Sequence, residues 1–138
     1  MQTNTLPATE TDTVAARLYE LCSKGQHEQA MAELYADNAR HVEAMDCPGG
    51  PYKRITEGKA ALTKMSEHWS KTTTVHSASM TEPLVNGDQF VCEMKMDCTS
   101  SEGPMAGKRM QMAETCLYTV KNGQITEAKF FYPTKMPG

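Results

Sequence analysis

The chain has 138 residues and a mass of 15.3 kDa, enough for one domain that buries about two thirds of its unfolded surface without disulfide help. With 39% hydrophobic residues, 22% charged, a net charge of -3 and no basic run, it lacks the electrostatic footprint of a protein that binds nucleic acid or an anionic membrane. No apolar run approaches the roughly 18 residues of a membrane span, the N-terminus MQTNTLPATETD has no signal-peptide pattern, and five scattered cysteines suit a reducing compartment, so a cytoplasmic protein is expected.

Residues 1–11 are polar and read as a disordered tail, leaving residues 12–138 as a single domain. Thr11 or Asp12 is placed to cap a first helix whose apolar stripe is Val14, Ala15, Leu18, Leu21 and Cys22, and Lys24-Gly25 ends it. In HEQAMAELYA the stripe Ala30, Met31, Leu34 and Tyr35 marks a second helix, followed by a short extended stretch over 39–45 and the loop DCPGGPYKR. Cys47 in that loop is the thiol whose setting is most open, but no histidine spacing marks it as a nucleophile. A third helix is expected from Thr56 or Glu57 to about Ser70, with Ala61, Leu62, Met65 and Trp69 on one face.

Beyond Lys71 the pattern turns to strands, over 72–82 and then, after a turn at Asn86-Gly87-Asp88, over 89–99. There Phe90, Cys92, Met94, Met96 and Cys98 alternate with Val91, Glu93, Lys95 and Asp97, giving one dry and one wet face. After the loop SSEGPMAG the run KRMQMAETCLYTVKNGQITEAKFFYP reads as a long hairpin turning at Asn122-Gly123. Glu114 breaks its pattern: it shares a face with Met110, Met112, Cys116, Tyr118 and Val120. Helices first and antiparallel strands after give an α+β fold, with a curved, mostly antiparallel sheet wrapped around three helices and leaving a pocket.

Three stretches together resemble the nuclear transport factor 2-like superfamily, in particular its SnoaL-like branch: GQHEQAMAELYADNARHVE from Gly25 to Glu43, EGKAAL from Glu57 to Leu62, and ETCLYTVKNGQI with the following FFY. The resemblance runs from about Asp12 to Tyr132 and implies a cystatin-like cone with a central pocket, and a homodimer formed through the outer face of the sheet. Relatives include ketosteroid isomerase and polyketide cyclases, beside members that only bind or assemble. Laid on the isomerase pattern, Glu43 falls where that enzyme keeps its proton-abstracting aspartate. The oxyanion-hole aspartate falls near Cys116, two residues from Glu114, and the oxyanion tyrosine falls at Leu18, with Tyr19 beside it.

The candidate catalytic residues are therefore Glu43, Glu114 and, by shared parity with Glu43, His41 as its hydrogen-bond partner. Two facing carboxylates in a buried pocket would split into one acid and one base. Candidate ligand contacts are Tyr19, Tyr35, Trp69, Met94, Met112, Cys116, Tyr118, Phe130 and Tyr132, although Trp69 reads first as a plug of the core and the strand aromatics read first as packing. Two readings stay open beside this one. In one, Val42 and Ala44 mark the core face and His41 and Glu43 point to solvent or to a partner subunit; in the other, backbone N–H groups or a cation such as Arg40 or Arg109 satisfy the two glutamates, which then serve only structure. The expectation is a cofactor-independent isomerase, cyclase, dehydratase or hydrolase acting on a small apolar organic ligand, without metal; the rival is a non-catalytic binding or dimeric assembly domain of the same fold.

Overall fold

The computed structural model describes residues 8–46 and 52–134, so Cys47, most of the expected tail and part of the Gly/Pro loop lie outside the described residues. Helix α1, Glu10–Ser23, starts two residues before the expected point because Thr9 is its cap. The Thr9 hydroxyl accepts from the Asp12 N–H at 3.2 Å while the Asp12 carboxylate accepts from the Thr9 N–H at 2.8 Å, a reciprocal capping box. Its other end closes in a Schellman motif: Gln26 N–H donates to Leu21 C=O at 2.9 Å and Gly25 N–H to Cys22 C=O at 3.0 Å. Gly25 takes the left-handed φ of 74° that this motif requires.

Helix α2, His27–Leu34, runs straight into strand β1, Tyr35–Val42. The strand starts four residues earlier than the sequence pattern suggests, since Tyr35, Ala36 and Ala39 are already buried sheet residues. Strand β2, Ile55–Glu57, replaces the expected first turn of the third helix and pairs antiparallel with β1. Helix α3, Lys59–Thr72, begins only after Gly58, whose φ of 94° redirects the chain. Strands β3, Thr73–Met80, β4, Leu84–Asn86, β5, Gln89–Ser100, β6, Arg109–Lys121, and β7, Gln124–Phe131, complete the fold. The β6–β7 turn has Asn122 and Gly123 at φ 52° and 72°, the positive pair of a tight two-residue hairpin.

Among the described residues the sheet has seven strands in the order β2-β1-β7-β6-β5-β3, with β4 paired to β5. All neighbouring pairs are antiparallel except β1 with β7. Register fixes which side chains share the inner face: Phe90 lies opposite Tyr118, Cys92 opposite Cys116, Cys116 opposite Phe130, and Met94 between Glu114 and Met80. Register shifts in β1–β7, β3–β5 and β6–β7 mark the bulges that bend the sheet around the helices.

Val14, Leu18 and Leu21 of α1, Leu34 of α2 and Leu62 of α3 meet Phe90, Tyr118 and Ile125 in one core. Trp69 is not the plug of this core: it is 40% exposed, whereas Leu62, one turn into α3, is completely buried. Trp69 lies two turns further on with nearly the same bearing as Leu62, but in the last turn of α3, where the core does not reach it. Leu62→Ala should therefore lower the unfolding free energy by about 2–5 kcal/mol with an unchanged denaturant slope. Trp69→Ala should cost clearly less, and urea titration of the two variants reads the order directly.

Candidate functional site

Glu43 follows the last residue of β1, and its N–H donates to Arg54 C=O at 2.7 Å, prolonging the β1–β2 ladder by one step. Both His41 and Val42 are buried, so each face of β1 is covered and alternation alone does not orient Glu43. Its side chain settles the matter: Glu43 Oε2 accepts a hydrogen bond from the Tyr132 hydroxyl at 3.0 Å, across the end of β7. The carboxylate therefore turns toward the inner face of β6 and β7 rather than away from it. Burial raises the Glu43 pKa, and the Tyr132 hydrogen bond opposes that rise.

Glu114 stands in the middle of β6, opposite Met94 and two residues before the buried Cys116. The Cys116 thiol donates weakly to Glu114 Oε1 at 3.9 Å. Burial pushes the Glu114 carboxyl up to about 7, with the neighbouring Glu43 charge contributing in the same direction and the Cys116 contact opposing it. One carboxyl thus holds its proton near neutrality while its neighbour sits against a phenol. The arginine pairing left open by the sequence does not occur. Arg40 bonds Glu127 at 2.9 Å and reaches Glu57 at 3.6 Å, and Arg109 grips Asp97 at 2.8 and 3.0 Å.

His41 does not support Glu43 directly. Its Nε2 lies 3.1 Å from the Tyr35 hydroxyl, and its ring meets Phe130 edge-on with centroids 5.0 Å apart. Burial depresses its pKa to about 4, so the imidazole is neutral near pH 7. The shared parity of His41 and Glu43 does not bring them into a hydrogen bond, because the Tyr35 hydroxyl, at the strand's other end, is the ring's partner.

The remaining candidates separate into two groups. Tyr35, Cys116 and Tyr118 are buried in the core, with Tyr118 stacked on Phe90 at 4.8 Å, and Phe130 packs half-buried against the same cluster. Met94, Tyr132 and Glu114 border a cleft of about 250 Å³, together with Glu93, Lys95, Ala113, Thr115, Phe131 and Pro133. Met112, 44% exposed, borders an adjoining cleft of about 540 Å³ with Met96. Tyr19 is half-buried on α1, and Trp69 is exposed on α3, away from both linings. What the sequence reading missed is the Tyr132–Glu43 bond: Tyr132 lies just past the last strand, where alternation no longer predicts direction. Among the described residues no cluster of His, Cys, Asp and Glu is arranged to hold a metal ion.

The raised Glu114 pKa has a defined pH signature. Its protonated form is favoured by the fold, so its stabilising contribution is complete below the ordinary carboxyl range and is lost as pH rises through about 7. The loss amounts to about 2–3 kcal/mol. His41 runs the opposite way, its contribution disappearing as pH falls from the ordinary histidine value toward 4. Comparing Glu114→Gln with the unaltered protein cancels the histidine term. The variant should gain relative stability between about pH 4.5 and 7 and level off above that range, measured as unfolding free energies in urea; a gap that does not change with pH contradicts the assignment.

The profile of the SnoaL-like domain family matches residues 9–132. No curated protein matches the chain significantly. Among solved structures, a Mesorhizobium loti protein provisionally described as a SnoaL-like polyketide cyclase, and also as a carbohydrate phosphatase, is 38% identical, with a TM-score of 0.79 over 87% of this chain and 97% of its own. A Burkholderia pseudomallei NTF2-like protein of unknown function shares the fold at TM-score 0.72 and 11% identity, covering 92% of this chain and 93% of its own. A Catenulispora acidiphila protein of ketosteroid isomerase-like fold, in complex with trimethylamine, does so at 0.66 and 14%, covering 90% and 88%. With a family match spanning nearly all of its length and a relative of this identity on the same fold, the chain belongs to the SnoaL-like family.

Proposed function

We propose that this protein is a cofactor-independent acid–base enzyme acting on a small, largely apolar organic molecule that carries a carbonyl group. The observation that carries the reading is the pair of half-buried carboxylates, Glu43 and Glu114, which have no cation partner among the described residues and differ in environment. Burying two acids without neutralising them costs stability, and such a cost is commonly kept where the groups do chemistry. The description of the Mesorhizobium loti relative as a polyketide cyclase supports a carbonyl substrate.

In the proposed step Glu43 takes a proton from the carbon next to the carbonyl. The C–H electron pair moves into a new C=C bond, and the carbonyl oxygen takes up the charge. The protonated Glu114 donates a hydrogen bond to that oxygen, a role that needs a carboxyl still protonated near pH 7. The enolate is then reprotonated at another carbon in an isomerisation, or attacks a second carbonyl in an aldol-type cyclisation. Met94 and Tyr132 would contact the substrate, while His41, neutral and bonded to Tyr35, holds the wall formed by Phe130.

We further propose a homodimer through the outer sheet face, where Val91 and Leu117 lie side by side, outside the lining of the cleft. A sedimentation mass of twice 15.3 kDa is the expected result. Cys22, Cys92, Cys98 and Cys116 are all free thiols, which supports a reducing, cytoplasmic setting.

The activity is tested by incubating the protein with a panel of apolar ketones and 1,3-diketones in D2O and following loss of the α-proton signals by NMR. Exchange above the buffer rate is expected with at least one member, falling about 10²–10⁴-fold in Glu43→Gln. Exchange that is absent throughout the panel, or equal in the variant, removes the enzyme reading in favour of a binding or assembly domain.

A further inference from the structure

We infer that Tyr132 is a positioning residue that, by donating its phenolic hydrogen bond to Glu43, makes Glu43 the ionised member of the carboxylate pair and leaves the proton on Glu114. This deepens the acid–base reading above and rests on it for its catalytic meaning, though not for its physical test.

Both members of the pair are glutamates, burial raises the pKa of both, and the Glu43 charge further opposes ionisation of Glu114. Two such groups share their charge according to whichever has the better donor. The donors differ in kind. Glu43 receives an O–H at 3.0 Å, whereas Glu114 receives only a thiol at 3.9 Å, and a thiol is a weak donor. A hydrogen bond offered to a carboxylate favours its charged form, so the stronger donor selects Glu43.

The other polar groups nearby do not undo this choice. On β1, His41 is neutral and engaged with Tyr35, whose hydroxyl is held by that ring rather than by Glu43. On β2 and its approach, Arg54 offers Glu43 its backbone carbonyl, which binds the Glu43 N–H and not the carboxylate. Arg40 is committed to Glu127 and Glu57, and Lys129 lies over the Phe131 ring. On β6, Cys116 bonds Glu114. Tyr132 itself is kept protonated, its pKa pushed up to about 12 by burial and by the Glu43 charge, so it remains a donor across the working pH range.

Geometry adds orientation to charge: the Tyr132 hydroxyl ties Glu43, just past the end of β1, to the end of β7 at 3.0 Å. Removing the hydroxyl should then act on both acids in opposite directions. Glu43 loses its donor and its pKa rises; Glu114, facing a less ionised neighbour, becomes the stronger acid.

The test is an NMR titration of protein carrying ¹³C-labelled glutamate side chains, with Glu43→Gln and Glu114→Gln used to assign the two signals. In Tyr132→Phe the Glu43 midpoint should rise by about one pH unit and the Glu114 midpoint should fall. Replacing Tyr132 by 3-fluorotyrosine, a stronger hydroxyl donor, should move Glu43 the other way. A Glu43 midpoint unchanged in both variants, or both carboxyls moving together, overturns the proposal. If Tyr132→Phe does not fold, the fluorotyrosine protein decides alone by the direction of the Glu43 shift. Where exchange activity is found, the lower limb of the pH–rate profile should move with Glu43. A protein with the predicted titrations but no exchange would refute the enzyme reading and leave the role of Tyr132 standing.

Discussion

The register of the β6–β7 hairpin is the constraint on which the rest of the site depends. Asn122 and Gly123 turn the chain with positive φ, and from that point Lys121 back to Thr115 of β6 are each fixed opposite a residue of β7. Because side chains alternate, a slip of one residue would carry Tyr132 to the outer face while Glu114 stayed inside. The bulge between Thr119 and Val120 adjusts the pairing close to the turn, so that Cys116 still meets Phe130 where the cleft begins. Tyr118, Cys116 and Glu114 then form a gradient along one strand, from a stacked aromatic in the core, through a buried thiol, to a half-buried acid.

That gradient explains why one fold accommodates unpaired acids. Near Phe90 and Ile125 the interior is dry and wholly apolar, and a carboxylate there would unfold the protein or lose its charge. Glu114 and Glu43 lie instead half removed from water, Glu114 at the border of the cleft and Glu43 bonded to Tyr132 of its lining. Their environment is dry enough to shift proton affinity but open enough for a small molecule to approach. The arginines that would have neutralised them are drawn to Glu127, Glu57 and Asp97.

The fold was legible where residue pattern and local geometry agree. The alternation of Met110 to Val120 and the Asn-Gly turn gave the hairpin, and the helix stripes gave α1 and α2 to within two residues. The short strands β2 and β4 were not legible, since three residues carry no period and both exist only by pairing with a longer neighbour. Trp69 misled because its size argued for burial, whereas it stands in the last turn of α3, past the core, and is 40% exposed. Glu43 and Glu114 stood out as charges on apolar faces. Their partners did not, because Tyr132 and Cys116 are assigned by three-dimensional proximity alone.

The parallel pairing of β1 with β7 has a consequence for how the protein comes into being. It joins Tyr35 to Ile125 and His41 to Ala128, and the bond from Tyr132 to Glu43 closes a span of 89 residues. Contacts so distant along the chain carry a large loop-closure entropy and form late. During synthesis the first strand and both short helices emerge long before the strand that must lie beside them. Glu43 therefore spends that interval in water as an ordinary surface acid, and acquires its altered proton affinity only when the last strand slides in between β1 and β6.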